Sequence, residues 1–237
     1  LGAWLIRRAG TPHGAGAQPA RHTGADVPVA RRPLRQATAW AVTAFFGLQA
    51  MLYFAVTSWL AVFLVANGWA SGDAAALLAW FSVAGLPASL LTPVLAGRKK
   101  MLAVLAPGIG VAVAAALIGV LTAPAEWQFL MVGVLGIVQS AGFGLGMALV
   151  VIRSDGPRSA GSLSAMSQGL GFAFASVGPF ITGLLHQWSG SWTLPFSFMA
   201  TGALLLAGAG FFAIRGPVVS VGETESEPAV KPVHINA

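Results

Sequence analysis

Charge is almost absent from the middle of this chain. Of its 20 formally charged residues, 12 lie before residue 36 or after residue 214, which leaves eight among the 179 residues between. A soluble domain carries about 25% charged residues; this chain carries 8%, with 56% hydrophobic. Such a sequence cannot be an ordinary water-soluble domain. A membrane helix needs about 20 mostly apolar residues to cross the hydrocarbon layer, and six stretches reach that length without an Asp, Glu, Lys or Arg. They are Thr38 to Ala66, Ala74 to Gly97, Met101 to Ala123, Trp127 to Ile152, Ser162 to His186 and Trp192 to Ile214. The fold class predicted is an all-α membrane protein of six transmembrane helices.

The few charges also orient the spans. Positively charged loops remain cytoplasmic, and with the N-terminal side inside, all 13 basic residues fall on that side. Arg7 to Arg35 precede the first span, Arg98, Lys99 and Lys100 join the second to the third, Arg153 and Arg158 join the fourth to the fifth, and Arg215 and Lys231 follow the sixth. The opposite loops hold only Asp73, Glu126 and an uncharged turn over 187–191. Both termini of the segment are therefore expected to be cytoplasmic. Residues 1–35 read as a cytoplasmic loop able to lie on anionic lipid, 36–216 as the six-helix bundle, and 217–237 as an unstructured cytoplasmic tail.

The net charge of +6 does not point to nucleic acid, because polyanion binders gather their basic residues into one face or stripe, whereas here they punctuate apolar runs. There is no cysteine, so thiolate metal sites, disulfides and cysteine nucleophiles are excluded. No HExxH, P-loop or dinucleotide signature occurs. The spans contain no carboxylate or basic side chain, so neither an enzyme nor a metal or cofactor site is expected.

Polar side chains within hydrocarbon are the best site candidates, since each is costly unless it faces another helix or a wet cavity. Gln49 and Tyr53 are one turn apart on one face of the first span, Gln139 lies near the middle of the fourth, and Gln168 shares a face with Ser164 in the fifth. They read either as the lining of a solute path or as interhelical hydrogen bonds that serve assembly. Pro87 and Pro179 fall inside spans and can kink them, as fixed bends or as gating points. Gly142 and Gly146 fit the small-xxx-small pattern of close helix contact, whether sliding or static. His186, beside Trp188, reads as an interfacial residue rather than a proton relay.

These residues belong to longer stretches: FFGLQAMLY from Phe45 to Tyr53, SWL from Ser58 to Leu60, GLPASLLTP from Gly85 to Pro93, SLSAMSQ from Ser162 to Gln168, GPFITGLLH from Gly178 to His186, and GSWTLP from Gly190 to Pro195. In order and spacing they resemble the C-terminal half of a major facilitator superfamily transporter, in its cyanate and nitroimidazole permease branch. The resemblance implies a twelve-helix protein around a central cavity, of which this chain supplies the last six helices. Leu1 to Ile6 would then be the end of the preceding helix, and a missing N-terminal six-helix half would be the partner.

Further implications are transport of a small solute by alternating access in the cell membrane, with Gln49, Tyr53 and Gln139 along the path and no cofactor. The solute would be a cyanate-like anion or a nitroimidazole-like compound. Arg98, Lys99 and Lys100 occupy the place of the family's charged loop motif but lack its usual acidic residue. A noncatalytic membrane assembly protein derived from half a transporter is the alternative.

Overall fold

The computed structural model describes residues 33–221, so the readings made on 1–32 and 222–237 lie outside the described residues. A 3₁₀ turn, Pro33–Arg35, leads into α1 (Ala37–Ala66), α2 (Ser71–Ala96), α3 (Lys99–Thr122), α4 (Ala125–Ile152), α5 (Pro157–Ala175), α6 (Val177–Ser189) and α7 (Thr193–Arg215). Among the described residues, six spans are long and apolar enough to cross a membrane, the fifth being α5 and α6 together. Among the described residues, β structure is confined to one isolated bridge, Ser154 to Val219. The predicted class, an all-α membrane protein with six spans, is the observed one.

Helix ends depart from the charge-free runs where the sequence caps a helix rather than where hydropathy rises. The fifth span starts at Pro157, not near Ser162. Proline suits the first turn of a helix, whose N–H has no partner to lose. The same span is broken at Ser176, between α5 and α6. Pro179 has no N–H to offer the carbonyl of Ala175, four residues back, and this frees the ladder at that point. Ser176 itself stays near helical geometry, with φ −60° and ψ −23°, so α5 passes into α6 through a single residue. Pro87, Pro93 and Pro107 lie inside uninterrupted helices.

Close backbone approach holds the bundle together, as expected where lipid tails remove the hydrophobic drive for helix association. α2 and α4 meet at Gly85, Gly136 and Gly144. A Cβ on Gly136 would strike the carbonyl of Phe81, and one on Gly85 would strike the Ser140 hydroxyl. α3 and α7 meet through Gly110, set against Ala203 and Ala207, and through Gly210, set against Ala106. α1 runs through the bundle and packs against α2, α4, α5, α6 and α7. Its buried residues, from Val42 and Phe45 to Phe63 and Leu64, form the spine of the apolar core.

At one end of the bundle, the start of α1, the α4–α5 loop and the segment after α7 are tied together. Val219 is fully buried, its N–H donates to the carbonyl of Arg153 (2.7 Å), and its own carbonyl accepts from the N–H of Asp155 (3.1 Å). Gln36 exchanges two hydrogen bonds with Ser220, at 2.7 and 3.2 Å. The Arg153 guanidinium donates to the carbonyl of Gly216, and burial lowers its pKa. The chain thus keeps a defined course as far as Val221, five residues into the segment read from sequence as an unstructured tail. The N–H of Val221 adds a bond to the Ser159 hydroxyl at 2.9 Å.

Candidate functional site

α1, α2, α4 and α5 line an open cavity of about 410 Å³, within the range of small-molecule sites. α1 contributes Ala50, Tyr53 and Phe54, α2 contributes Ser82, Leu86 and Ser89, α4 contributes Ser140 and Phe143, and α5 contributes Phe172. No carboxylate, amine, guanidinium or imidazole lines it. Two of its serines are occupied with their own helix: Ser82 donates to the carbonyl of Leu78 (3.3 Å) and Ser89 to that of Leu86 (2.8 Å). The hydroxyls of Tyr53 and Ser140 have no partner among the described residues and remain open to a ligand. Gly85, by lacking a side chain, makes the room in which the Ser140 hydroxyl sits.

Aromatic rings make the remaining wall. Phe54 stacks with Phe172 at 6.1 Å and 18°, and Phe172 meets Phe46 edge-on at 5.2 Å. Phe46 is tilted 46° against Phe143 at 6.0 Å, and Tyr53 lies 5.9 Å from Phe81. A chain of rings thus runs from α1 to α4 and α5. Such a lining favours flat or apolar solutes and offers hydroxyls for orientation.

Directly behind this wall, Gln49 and Gln139 are brought together. The Gln49 Nε2 group donates to the backbone carbonyl and to the side-chain oxygen of Gln139, each at 2.7 Å. Both residues are buried. Gly142 supplies the space for the Gln49 amide, which a Cβ at that position would strike. Gly146, one turn on, faces Phe46. The predicted small-residue pair therefore accommodates side chains of α1.

The other sequence candidates are elsewhere. Gln168 is half-buried and donates to the Ser164 hydroxyl at 2.6 Å. Pro87 lines a separate apolar groove with Trp80 and Phe129. The carbonyl of Pro179 accepts the Trp59 indole N–H at 2.8 Å, and Gly183 leaves room for that indole. Arg98, Lys99 and Lys100 are exposed at the start of α3. Cations there oppose the helix dipole, so helix stability does not explain them. His186 stacks on Trp192 at 3.9 Å and 18°, at the end of α6. Among the described residues no cluster of His, Cys, Asp or Glu can hold a metal.

Ser82, Ser89, Phe54 and Phe172 escaped the sequence reading. Ser82, Leu86 and Ser89 follow an i, i+4, i+7 spacing, the signature of one helix face, and that spacing was the available signal.

No family model matches the chain. It is 31% identical over 196 residues to the uncharacterized transporter YycB of Bacillus subtilis, covering 81% of this chain and 48% of that protein. It is also 28% identical over 176 residues to the 2-nitroimidazole transporter of Escherichia coli, covering 73% of this chain and 44% of the relative. The chain is a relative of the nitroimidazole and cyanate transporters. The cyanate transport protein CynX of E. coli matches at 29% over 167 residues, 68% of this chain and 42% of its own length. This similarity bears out the resemblance carried by the stretches from Phe45 to Pro195. The chain spans a little under half the length of these transporters. With six apolar helices, it is a multi-pass membrane protein of transporter ancestry.

Proposed function

We propose that the chain forms half of a secondary transporter that moves a small solute across the cell membrane by alternating access. The observation that carries this reading is the central cavity between α1, α2, α4 and α5. It has a solute-sized volume, an aromatic wall, two unpartnered hydroxyls and no ionic group. Tyr53 and Ser140 orient the solute, and Gln49 and Gln139 stand behind them. The kinked fifth span, with Pro179, and the glycine-lined contacts of α4, including Gly142 and Gly146, allow the wall to move. Transporters place broken helices at such sites.

The second half of the path belongs to a further six-helix unit, in keeping with the greater length of the relatives. Both termini of this segment face the cytoplasm, where Arg98, Lys99 and Lys100 anchor the α2–α3 loop. No bond-making chemistry is assigned to the chain. The solute is a compound of the kind named for the relatives, a nitroimidazole or cyanate, and the uncharged wall favours the neutral heteroaromatic over the anion.

The test is uptake into vesicles by the complete reading frame, with labelled neutral heterocycles and small anions, with and without a proton gradient. Saturable uptake of at least one compound is expected. Correctly inserted protein that takes up none of them refutes the reading.

A further inference from the structure

The Gln49–Gln139 pair holds more hydrogen-bonding capacity than it uses. Both N–H groups of Gln49 are spent on the backbone and side-chain oxygens of Gln139. Gln49 Oε1 and Gln139 Nε2 are left buried and without a partner. Exchanging amide O and N, the usual ambiguity of such groups, does not cure this. Turning the Gln139 amide sets its NH₂ against the NH₂ of Gln49. Turning the Gln49 amide sets its oxygen against two oxygens of Gln139, and turning both still sets that oxygen against the Gln139 backbone carbonyl. Every arrangement leaves an acceptor and a donor open.

A joint that only held α1 to α4 would be better served by apolar packing, because orphaned polar groups are penalised in a membrane interior. The open oxygen lies over Gly142, where a Cβ would strike it. Ala50, Ser140 and Phe143, the next residue after each of Gln49, Gln139 and Gly142, all line the cavity. Gln49, Gln139 and Gly142 thus each stand next in sequence to a residue of the wall.

We infer that Gln49 Oε1 and Gln139 Nε2 form an inner polar subsite of the cavity. It receives a neutral solute bearing an N–H donor beside a lone-pair acceptor, as in an amide or an N-unsubstituted heteroaromatic ring. The solute N–H donates to Gln49 Oε1 and its acceptor takes the N–H of Gln139, as α1 and α4 part. This inference rests on the transport reading and adds a specificity to it. A site built to hydrogen-bond an N–H rejects the analogue that lacks it.

The experiment compares 2-nitroimidazole with its N1-methyl derivative, and acetamide with N,N-dimethylacetamide, in vesicles containing the complete protein. Wild type is expected to favour the N–H member of a pair by about tenfold or more in kcat/KM, the value of one or two good hydrogen bonds. In Gln139→Leu, which keeps the backbone carbonyl that Gln49 uses, the preference falls toward one while uptake of the methylated compound persists. Gly142→Ala, whose Cβ would strike the Gln49 amide and displace it from its place without removing it, has the same effect on the preference. An unchanged preference in both variants overturns the subsite and leaves the transport reading intact. Absence of saturable uptake in inserted wild type overturns both.

Discussion

The side-chain amide nitrogen of Gln49 is 2.7 Å from two oxygens of Gln139, and this pair of hydrogen bonds between residues 90 apart pins the first helix to the fourth. Gln49→Leu leaves the Gln139 side-chain oxygen buried without a donor, at a cost of about 1–3 kcal/mol. The double variant Gln49→Leu/Gln139→Leu removes both partners and is expected to cost less than the two single changes added together. Thermal unfolding of the purified protein in detergent reads this coupling; strictly additive losses would argue against a shared bond.

Close contact of α2 with α4 depends on absent side chains. Gly85→Ala drives a Cβ into the Ser140 hydroxyl and to 2.7 Å from the carbonyl of Gly136, and the overpacking is expected to cost about 1–3 kcal/mol. Gly108→Ala in α3 meets nothing within 4 Å and should be neutral or gain up to about 1 kcal/mol from helix propensity. Equal melting temperatures for the two variants would contradict this packing.

Pro179 interrupts the fifth span, and Pro179→Ala returns an N–H to the Ala175 carbonyl. The expected outcome is higher thermal stability together with slower uptake, because α5 and α6 become one stiffer rod. A stabilised variant with wild-type uptake kinetics would assign the break to shape alone.

The absence of cysteine makes topology directly measurable by single-cysteine labelling. Asp73→Cys and Glu126→Cys should react with an impermeant maleimide added outside cells, and Lys99→Cys only after permeabilisation. Labelling of Lys99→Cys from outside would reverse the orientation derived from the basic loops.

The spans were legible because a missing charge over some 20 residues has one physical explanation, a hydrocarbon solvent. The break at Ser176 was not. Pro87 with Gly85 and Pro179 with Gly178 look alike in sequence, yet only the second interrupts its helix. The difference accompanies the Trp59 indole from α1, which reaches the Pro179 carbonyl and is invisible in local sequence. The two glutamines stood out because an amide in a membrane helix demands a partner, but their pairing depends on how α1 crosses α4. Ser82 and Ser89 did not stand out, since a serine can satisfy itself on its own helix, as both do. Which serines share a wall is decided by the glycine-set approach of α2 and α4.

Transport through the central cavity is tested most directly by blocking it. Leu86 lines the cavity from α2 and is well exposed there, so Leu86→Trp adds bulk to the space without disturbing a packed core. Uptake by the complete protein should fall at least about tenfold, the scale of a barrier raised by about 1.4 kcal/mol, with expression and insertion unchanged. Wild-type uptake through a correctly inserted Leu86→Trp protein would contradict a solute path through this cavity.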